Sequence, residues 1–288
     1  MKKIKKIFKI IGIIILVLIL LLIIDYIIIN IKYNKNKNNY KSTYKIIIET
    51  GYAPQGLTYS EKYNVIIESS YNYKGKDSKI YIIDFNSKRL IDEFELEKNK
   101  THVGGITTNE DTLYITGDNY LYTYDLKEIM NTGLVSIKET KKTKIKNRGD
   151  FCLYHDNVLW TGDFALWPLY RVPKNKPLIL GYKDGNTNYN KPDYSYEIPK
   201  MVQGMEIVDN EFIFTKSYSP WLNSKLDIYK LKDKKLKHKD TIKLPPMAEG
   251  LFYKDDNLYI LYESNSYKYW MALPKIKNLV KLEYKKSS

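Results

Sequence analysis

Several residue types and motifs are scarce in this chain of 288 residues, and each scarcity excludes a class of protein. The only cysteine is Cys152, so neither an internal disulfide nor a cysteine-based zinc site can form. The sequence has no Gly-x-Ser-x-Gly elbow, no phosphate-binding P-loop and no His-Glu-x-x-His pair. Residues 44–288 contain no segment that keeps a helical period for three turns, which predicts an all-β domain.

Glutamine is also scarce, and both copies occupy the same local setting. Gln55 and Gln203 each stand directly before a glycine that opens a short apolar strand. Five segments share this frame, and their glycines are Gly56, Gly105, Gly149, Gly204 and Gly250. The spacings between these glycines are 49, 44, 55 and 46 residues. A repeat of this length that is built from short strands is typical of a β-propeller.

The repeats predict an all-β propeller of five four-stranded blades. Each repeat contains strands of four to eight residues between polar turns, such as Thr112–Thr116 and Tyr120–Asp125. The strand Tyr44–Glu49 precedes the first repeat, and the last repeat is short. We therefore expect the N-terminal strand to complete the last blade and to close the ring. Six blades are the alternative, with the additional blade in the long third repeat around residues 178–191.

The N-terminal residues predict a membrane anchor. An apolar run follows five lysines, and the 22 residues between Lys9 and Lys32 are long enough to cross the hydrocarbon core as a helix. A signal peptide would have a shorter apolar run and a small-residue cleavage site, and no Ala-x-Ala pattern follows here. We divide the chain into an anchor (1–31), a polar tether (32–43) and a propeller (44–288). The N-terminus is expected in the cytoplasm and the propeller outside, in a single-pass protein of the cell membrane.

The net charge of +14 does not predict a nucleic-acid partner. Residues 1–41 carry nine lysines and one aspartate, which leaves only +6 for the rest of the chain. The remaining lysines are spread through predicted turns, and no nucleic-acid-binding motif organises them. The expected partners are the membrane and an unidentified ligand or protein.

Three inner-strand motifs resemble those of a known group of propellers. Pro54-Gln-Gly-Leu-Thr-Tyr59, His102-Val-Gly-Gly-Ile-Thr107 and Glu249-Gly-Leu-Phe-Tyr253 resemble the NHL and SMP-30 (lactonase-like) repeats of exported bacterial proteins. The resemblance covers nearly all of residues 44–288. In the lactonase-like families, a Glu-Gly at this position can supply a carboxylate to a central divalent metal, which makes Glu249 a candidate ligand. Asp150 is the second candidate because its carboxylate suits a hard metal ion such as calcium, although binding requires no cofactor.

The predicted geometry brings polar residues from every blade towards one axis. Inner strands line the channel of a propeller, and the second strands end near the same face, so residues at these positions converge. The candidate ligand-binding residues are Gln55, His102, Asp150, Gln203, Glu206 and Glu249 on inner strands, Glu68 and Glu263 on second strands, and Trp167 and Trp221 in two aromatic loops. The carboxyl groups of Glu206, Glu249 and Asp163 are the candidates for acid–base catalysis. The alternative role of such residues is to hydrogen-bond neighbouring blades and channel water.

These observations favour a function in binding. We expect a membrane-anchored, extracytoplasmic propeller that binds a ligand or protein partner at one face of its channel. One alternative is a hydrolase or lactonase of the same fold that uses channel carboxylates, with or without a divalent metal. Another alternative is a structural scaffold in an envelope complex.

Overall fold

Five sheets arranged around one axis form the propeller in the computed structural model, which describes residues 2–35, 43–75, 77–97, 102–132, 136–166 and 176–285. Blade 1 contains β1 (Tyr52–Ser60), β2 (Val65–Asn72), β3 (Lys79–Asp84) and β4 (Leu90–Leu96), with β8 (Ser136–Ile137) at its edge; blade 2 contains β5 (Gly105–Asn109), β6 (Thr112–Gly117), β7 (Tyr120–Asp125) and β9 (Lys141–Lys144). Blade 3 contains β10 (Phe151–His155), β11 (Val158–Gly162), β12 (Leu178–Lys183) and β13 (Tyr194–Glu197); blade 4 contains β14 (Val202–Val208), β15 (Glu211–Lys216), β16 (Ser224–Lys232) and β17 (Lys235–Leu244); blade 5 contains β18 (Ala248–Lys254), β19 (Asn257–Tyr262) and β20 (Val280–Glu283). The helices are α1 (Lys2–Lys35) and α2 (Leu126–Thr132), and residues Tyr267–Tyr269 form a 3-10 turn. The prediction of a five-bladed propeller is confirmed.

Two-residue turns join many of the antiparallel strands. At Asp156-Asn157, between β10 and β11, the φ angles are 49° and 59°, and Asp209-Asn210, between β14 and β15, has φ angles of 48° and 62°. Two successive residues with positive φ define a type I′ turn, whose twist matches that of the strands it joins. Asp and Asn tolerate this conformation better than most residues, so the polar Asp/Asn pairs in the sequence set the ends of the strands.

Apolar side chains pack between neighbouring blades. Ile80 and Ile82 of blade 1 share a buried cluster with Leu113 and Ile115 of blade 2. Every second residue of β3 and β6 contributes to this cluster, as expected for sheets that stack face to face. Another cluster joins blades 3 and 4, and the largest extends over blades 4, 5 and 1.

The segment before blade 1 closes the ring, as predicted, but it does so through an isolated bridge, so blade 5 has three strands where four were expected. Lys45 forms an isolated antiparallel bridge with Asn278, and the Ile46 amide donates a hydrogen bond of 2.9 Å to the Lys277 carbonyl. The Ile47 amide donates to both carboxylate oxygens of Glu68 in blade 1, at 3.2 and 3.3 Å. The segment therefore bridges blade 5 and blade 1 with few backbone hydrogen bonds, and its buried side chains supply much of the contact.

Two strand assignments made from the sequence were wrong. The alternation in residues 134–138 predicts the outer strand of blade 2, but β8 pairs in parallel with β4 of blade 1, and the outer strand of blade 2 is β9. The Gly, Asn, Asp, Pro and Lys content of residues 178–191 favours an inserted loop over a sixth blade, but β12 is the third strand of blade 3. Residues 169–172, which the sequence predicts to be that third strand, lie outside the described residues.

Helix α1 is long and apolar enough to cross a membrane. Its most apolar stretch of 18 residues has a mean hydropathy of 3.5, and none of that stretch is buried in the protein. The helix continues to Lys35, so residues 32–35, which the sequence assigns to the tether, are helical. The rest of the predicted tether, residues 36–42, lies outside the described residues.

The closing segment should contribute strongly to stability through one side chain. Ile46 is 1% exposed and belongs to the cluster of blades 4, 5 and 1, whereas Ile48 is only partly buried against that cluster. Ile46→Ala should lower the free energy of unfolding by about 2–5 kcal/mol, because it leaves a cavity in a packed core. Ile48→Ala, the same change two residues away, should cost about half of that or less. Urea unfolding of the full chain in detergent measures both, and equal losses would contradict the assigned closure.

Candidate functional site

The inner strands of three blades carry a β-bulge at the polar residue that the sequence analysis singled out. The register between β1 and β2 shifts between Pro54 and Gly56, so Gln55 has no partner in the ladder. The same shift occurs around Gln203 in blade 4 and between Ala248 and Leu251 in blade 5, where it includes Glu249. A bulge leaves its extra residue unpaired and redirects the side chain. The bulges therefore account for the convergence of these three side chains on the channel.

A glycine follows each bulged residue because the inner strands lie very close together at the axis. A Cβ atom on Gly250 would lie 2.5 Å from the backbone nitrogen of Leu57 and 3.1 Å from the Gln55 carbonyl oxygen. Contacts this short between a side chain and backbone are not tolerated. Glycine is thus required where blade 5 meets blade 1.

A cavity of about 270 Å³ opens at the end of the channel where the inner strands begin, and we call it the entry cavity. Its lining combines acceptor-bearing side chains with aromatic and aliphatic ones: Gln55, His102, Asp150, Phe164, Leu166, Gln203, Tyr218, Glu263 and Tyr269. Every blade contributes to this lining. The volume lies just below the usual range for small-molecule pockets, and it suits a small ligand or the end of a longer one.

A chain of hydrogen bonds crosses the entry cavity from blade to blade. His102 Nδ1 lies 3.1 Å from Gln55 Oε1, and Gln55 Nε2 donates to Glu263 Oε2 at 3.1 Å. On the far side, Gln203 Nε2 donates to Glu249 Oε1 at 3.3 Å. The carboxyl groups of Glu249 and Glu263 interact with each other and join the two halves. We call these five residues the polar chain.

The carboxyl groups of Glu249 and Glu263 are the buried acids at the centre of the polar chain. Both side chains are buried, with 2% and 6% of their surface exposed. Burial, followed by the charge of Glu263, raises the pKa of Glu249 well above its usual range. Burial also raises the pKa of Glu263 to about 7, opposed by the charge of Lys268. The pair therefore holds at least one proton at neutral pH, because two adjacent buried carboxylates repel each other.

One lysine and two tyrosines lie beside the glutamate pair. Lys268 donates hydrogen bonds to the hydroxyl groups of Tyr71 and Tyr269, the latter at 2.7 Å. Tyr71 stacks on the His102 ring with a centroid distance of 4.1 Å. The Lys268 charge lowers the pKa of both glutamates, although burial outweighs it. Lys268 and Tyr269 were not predicted from the sequence. The one feature that could have indicated them is the cluster of aromatic and basic residues that follows Glu263.

Blade 3 contributes an ion pair to the cavity wall. The Arg148 guanidinium lies 3.0 Å from the Asp150 carboxylate, which also accepts a hydrogen bond of 2.8 Å from the Phe164 amide. Asp163 does not line the cavity, and it accepts a hydrogen bond of 2.8 Å from the Arg148 amide. Burial raises the pKa of Asp163, and that amide lowers it. These contacts give Asp163 a structural role in holding the loop of Asp150.

Glu206 lies at the opposite end of the channel from the polar chain. A larger cavity of about 710 Å³ opens where the inner strands end, and Glu206 lines it with Tyr253. The Glu206 carboxylate accepts hydrogen bonds from the Ile207 and Tyr253 amides, at 2.9 and 3.0 Å. Burial raises the pKa of Glu206 to about 7, and both hydrogen bonds oppose this shift. Glu206 therefore does not join Gln203 at one site, although only two residues separate them.

The remaining candidates from the sequence occupy different places. Glu68 is buried between blade 1 and the closing segment, and burial raises its pKa well above the usual range. Trp221 is 60% exposed on a loop next to the entry cavity, but it does not line the cavity. Trp167 lies outside the described residues. The aromatic loops predicted at the channel mouth do contribute to the cavity, through Phe164, Leu166 and Tyr218.

The described residues do not bring together a metal-binding group. In those parts of the chain, no set of three or more His, Cys, Asp or Glu side chains is placed to hold a metal ion. Glu249, the ligand candidate from the lactonase-like resemblance, instead forms hydrogen bonds to Gln203 and Glu263. The arrangement around Glu249 thus suits proton sharing.

Comparisons with known proteins support the fold. No protein-family model matches the sequence, and no curated protein is similar to it. The structure is similar to glutaminyl cyclase from Myxococcus xanthus, with a TM-score of 0.55, 10% identity, and coverage of 83% of this chain and 93% of that one. It is also similar to Kuenenia stuttgartiensis hydrazine synthase (TM-score 0.47, 10% identity, 75% of this chain and 57% of that one) and to the Swd1 β-propeller domain of Myceliophteria thermophila (TM-score 0.40, 8% identity, 77% and 66%). At these identities the likeness shows the fold alone.

The shared proton predicts how stability depends on pH. The folded pKa of Glu263 is raised, so its contribution to stability is full below about pH 4.5 and is lost as the pH rises through about 7. Glu263→Gln mimics the protonated pair and should remove about 3 kcal/mol of this pH dependence. The variant should therefore be more stable than the parent at pH 8. Thermal unfolding of the full chain in detergent from pH 4 to 8 measures the effect.

The exposed Glu61 offers a matched control for this measurement. Glu61→Gln removes the same charge from the surface and should leave the pH profile unchanged. A Glu263→Gln profile that runs parallel to the parent profile would contradict the shared proton.

Proposed function

We propose that the entry cavity binds a small ligand, or the end of a larger one, through a group that donates hydrogen bonds. The observation that carries this proposal is the buried Glu249–Glu263 pair at the cavity. Burying two carboxyl groups lowers the free energy of unfolding, so their presence indicates a role other than stability. Acids with perturbed pKa values in a cleft are typical of functional sites. Tyr218, Tyr269 and Phe164 provide apolar and aromatic surface for the body of the ligand.

The polarity of the cavity wall indicates which ligand groups fit. Glu263 and Asp150 present carboxyl oxygens. Gln203 uses its amide nitrogen for the Ser217 carbonyl and Glu249, and no donor in the described residues contacts its carbonyl oxygen. The acceptor at Gln203 and the carboxyl oxygens of the wall favour a ligand that donates hydrogen bonds, so an amine or a primary amide fits better than a carboxylate or phosphate.

A second candidate is an enzyme that uses the pair as acid and base. The observation in its favour is the Glu263 pKa of about 7, beside a Glu249 carboxyl group whose pKa burial also raises, since proton transfer is most effective near the working pH. Glutaminyl cyclase, the activity named for one fold neighbour, is the first reaction to assay. In that reaction the α-amine of an amino-terminal glutamine attacks the carbon of its side-chain carboxamide and forms a new C–N bond. The bond from that carbon to the amide nitrogen breaks, and the nitrogen leaves as ammonia with the proton that the amine loses.

The site belongs to a protein that we place in the membrane. α1 supports a single-pass anchor, and the short basic segment before its apolar run favours a cytoplasmic N-terminus. The propeller and its entry cavity are then outside the cytoplasm.

The binding proposal predicts a selectivity among three matched probes: benzylammonium, benzamide and benzoate. The first two should bind the full chain in detergent, and benzoate should bind at least about tenfold more weakly because it meets carboxyl oxygens. Benzylammonium affinity should rise about tenfold between pH 6 and 8, as Glu263 loses its proton. Isothermal titration calorimetry measures both effects.

Variants separate the cavity from other acidic surfaces. Glu263→Gln should abolish the pH dependence of benzylammonium binding, whereas Glu61→Gln should preserve it. Equal affinity for all three probes in both variants would contradict the proposal. For the enzyme candidate, a peptide with amino-terminal glutamine should lose ammonia when it is incubated with the parent and not when it is incubated with Glu263→Gln. Mass spectrometry of the peptide measures this loss. Binding of the peptide without this loss would favour binding alone.

A further inference from the structure

The last third of helix α1 is attached to the side of the propeller. The Asp25 carboxylate accepts hydrogen bonds from the Asn223 side-chain amide and, at 2.8 Å, from the Lys243 ammonium. Further along the helix, Ile29 is 3% exposed, and Tyr33 packs against the cluster of blades 4, 5 and 1. Residues 4–24, by contrast, are exposed along their whole length. The contact with the propeller therefore begins at Asp25.

The position of this contact shows towards which end of the channel the apolar helix extends. Asn223 directly precedes β16, and Lys243 is the last residue but one of β17. Both lie at the end of blade 4 that carries the entry cavity, because Gln203 at the start of β14 and Tyr218 after β15 line that cavity. From Asp25 to Tyr33 the helix runs down the side of the propeller. In the other direction, residues 4–24 extend beyond the entry-cavity end.

The contact that begins at Asp25 leaves residues 4–24 for the membrane span, which is nearer the N-terminus than the run of residues 10–31 that the sequence predicts. At 1.5 Å per residue, residues 4–24 cover about 31 Å, which is close to the thickness of the hydrocarbon core. Lys5, Lys6 and Lys9 lie near the start of this stretch and can extend their charges to the first interface. Asp25 then reaches the second interface, where the propeller begins. In a bilayer, this geometry would bring the entry-cavity end of the propeller to the membrane surface.

The entry-cavity end of the propeller exposes several large apolar side chains. They lie on two loops, 218–222 and 267–273, which we call the rim loops: Tyr218, Trp221, Leu222, Tyr267, Trp270, Met271 and Leu273. Trp270 is 76% exposed. The first rim loop directly precedes Asn223, the residue that contacts the helix at Asp25. Tryptophan and tyrosine are enriched at the level of lipid headgroups, and a lysine, Lys268, lies among them.

We propose that the rim loops rest in the headgroup layer of the leaflet where α1 leaves the membrane, so that the entry cavity faces the bilayer. Three observations support this proposal: the side on which α1 extends, the length of its exposed part, and the apolar side chains at that end of the propeller. A lipid surface is the occupant that α1 brings to this patch. The inference does not require the entry cavity to bind a ligand.

Tryptophan emission tests the proposal in the full chain, because α1 contains no tryptophan. We would work in a Trp167→Phe background and compare nanodiscs made with brominated and ordinary phosphatidylcholine. Trp221 and Trp270 should contact the bromine-bearing chains, whereas Trp160 is buried inside the propeller. Brominated lipid should lower the emission about twofold, and this loss should disappear in the Trp221→Phe/Trp270→Phe variant.

A second set of variants tests the attachment of the helix. Lys243→Ala and Asp25→Ala should reduce the quenching, because they release the contact that orients the propeller. Lys237→Ala removes an exposed lysine at the other end of β17 and should not change it. Two results together would overturn the proposal. Brominated lipid would leave the emission unchanged, and aqueous acrylamide would quench Trp221 and Trp270 equally with and without a bilayer. This outcome would also favour a protein as the occupant of the rim loops.

Discussion

The close approach of the inner strands at the axis is the constraint on which the rest of this structure depends. Gly250 lies so near the backbone of Gln55 and Leu57 that no side chain fits between blade 5 and blade 1. The crowding places bulges beside the glycines, and the bulges direct Gln55, Gln203 and Glu249 into a common space. The packing that closes the ring thus also assembles the polar chain.

The polar chain combines two opposing electrostatic effects. Burial favours neutral carboxyl groups at Glu249 and Glu263, whereas Lys268 favours charged ones. The balance keeps one proton within the pair and sets the Glu263 pKa near physiological pH. His102 and Gln55 extend the chain to blade 2. The protonation state of the pair can therefore be influenced by groups on several blades.

The sequence was sufficient to predict the architecture because the Gly-flanked strands and polar turns are local signals that repeat. It also identified most of the side chains at the entry cavity, since Gln55, His102, Asp150, Gln203 and Glu263 all line it. The prediction for Glu206 placed it too near Gln203. Three residues along an extended strand cover about 10 Å, which moves a side chain well down the channel.

Other features depend on contacts that sequence patterns do not encode. The parallel pairing of β8 with β4 joins segments about forty residues apart, and no local signal specifies it. The position of Asp25 near the end of the apolar run predicts a residue that reaches the membrane interface. Its partners, Asn223 and Lys243, are about two hundred residues away. Lys268 and Tyr269 likewise acquire their role only when the 3-10 turn brings them to the glutamate pair.

The closing segment has a mechanical consequence. Residues 44–46 hold blade 5 through two backbone hydrogen bonds, and they are the first part of the propeller that follows the anchor along the chain. Once the side contacts of α1 yield, any tension between the bilayer and the propeller is transmitted through these residues. A pull on the anchor would then act on this segment before it reaches any complete sheet. The segment that closes the ring is thus also the one that carries the load.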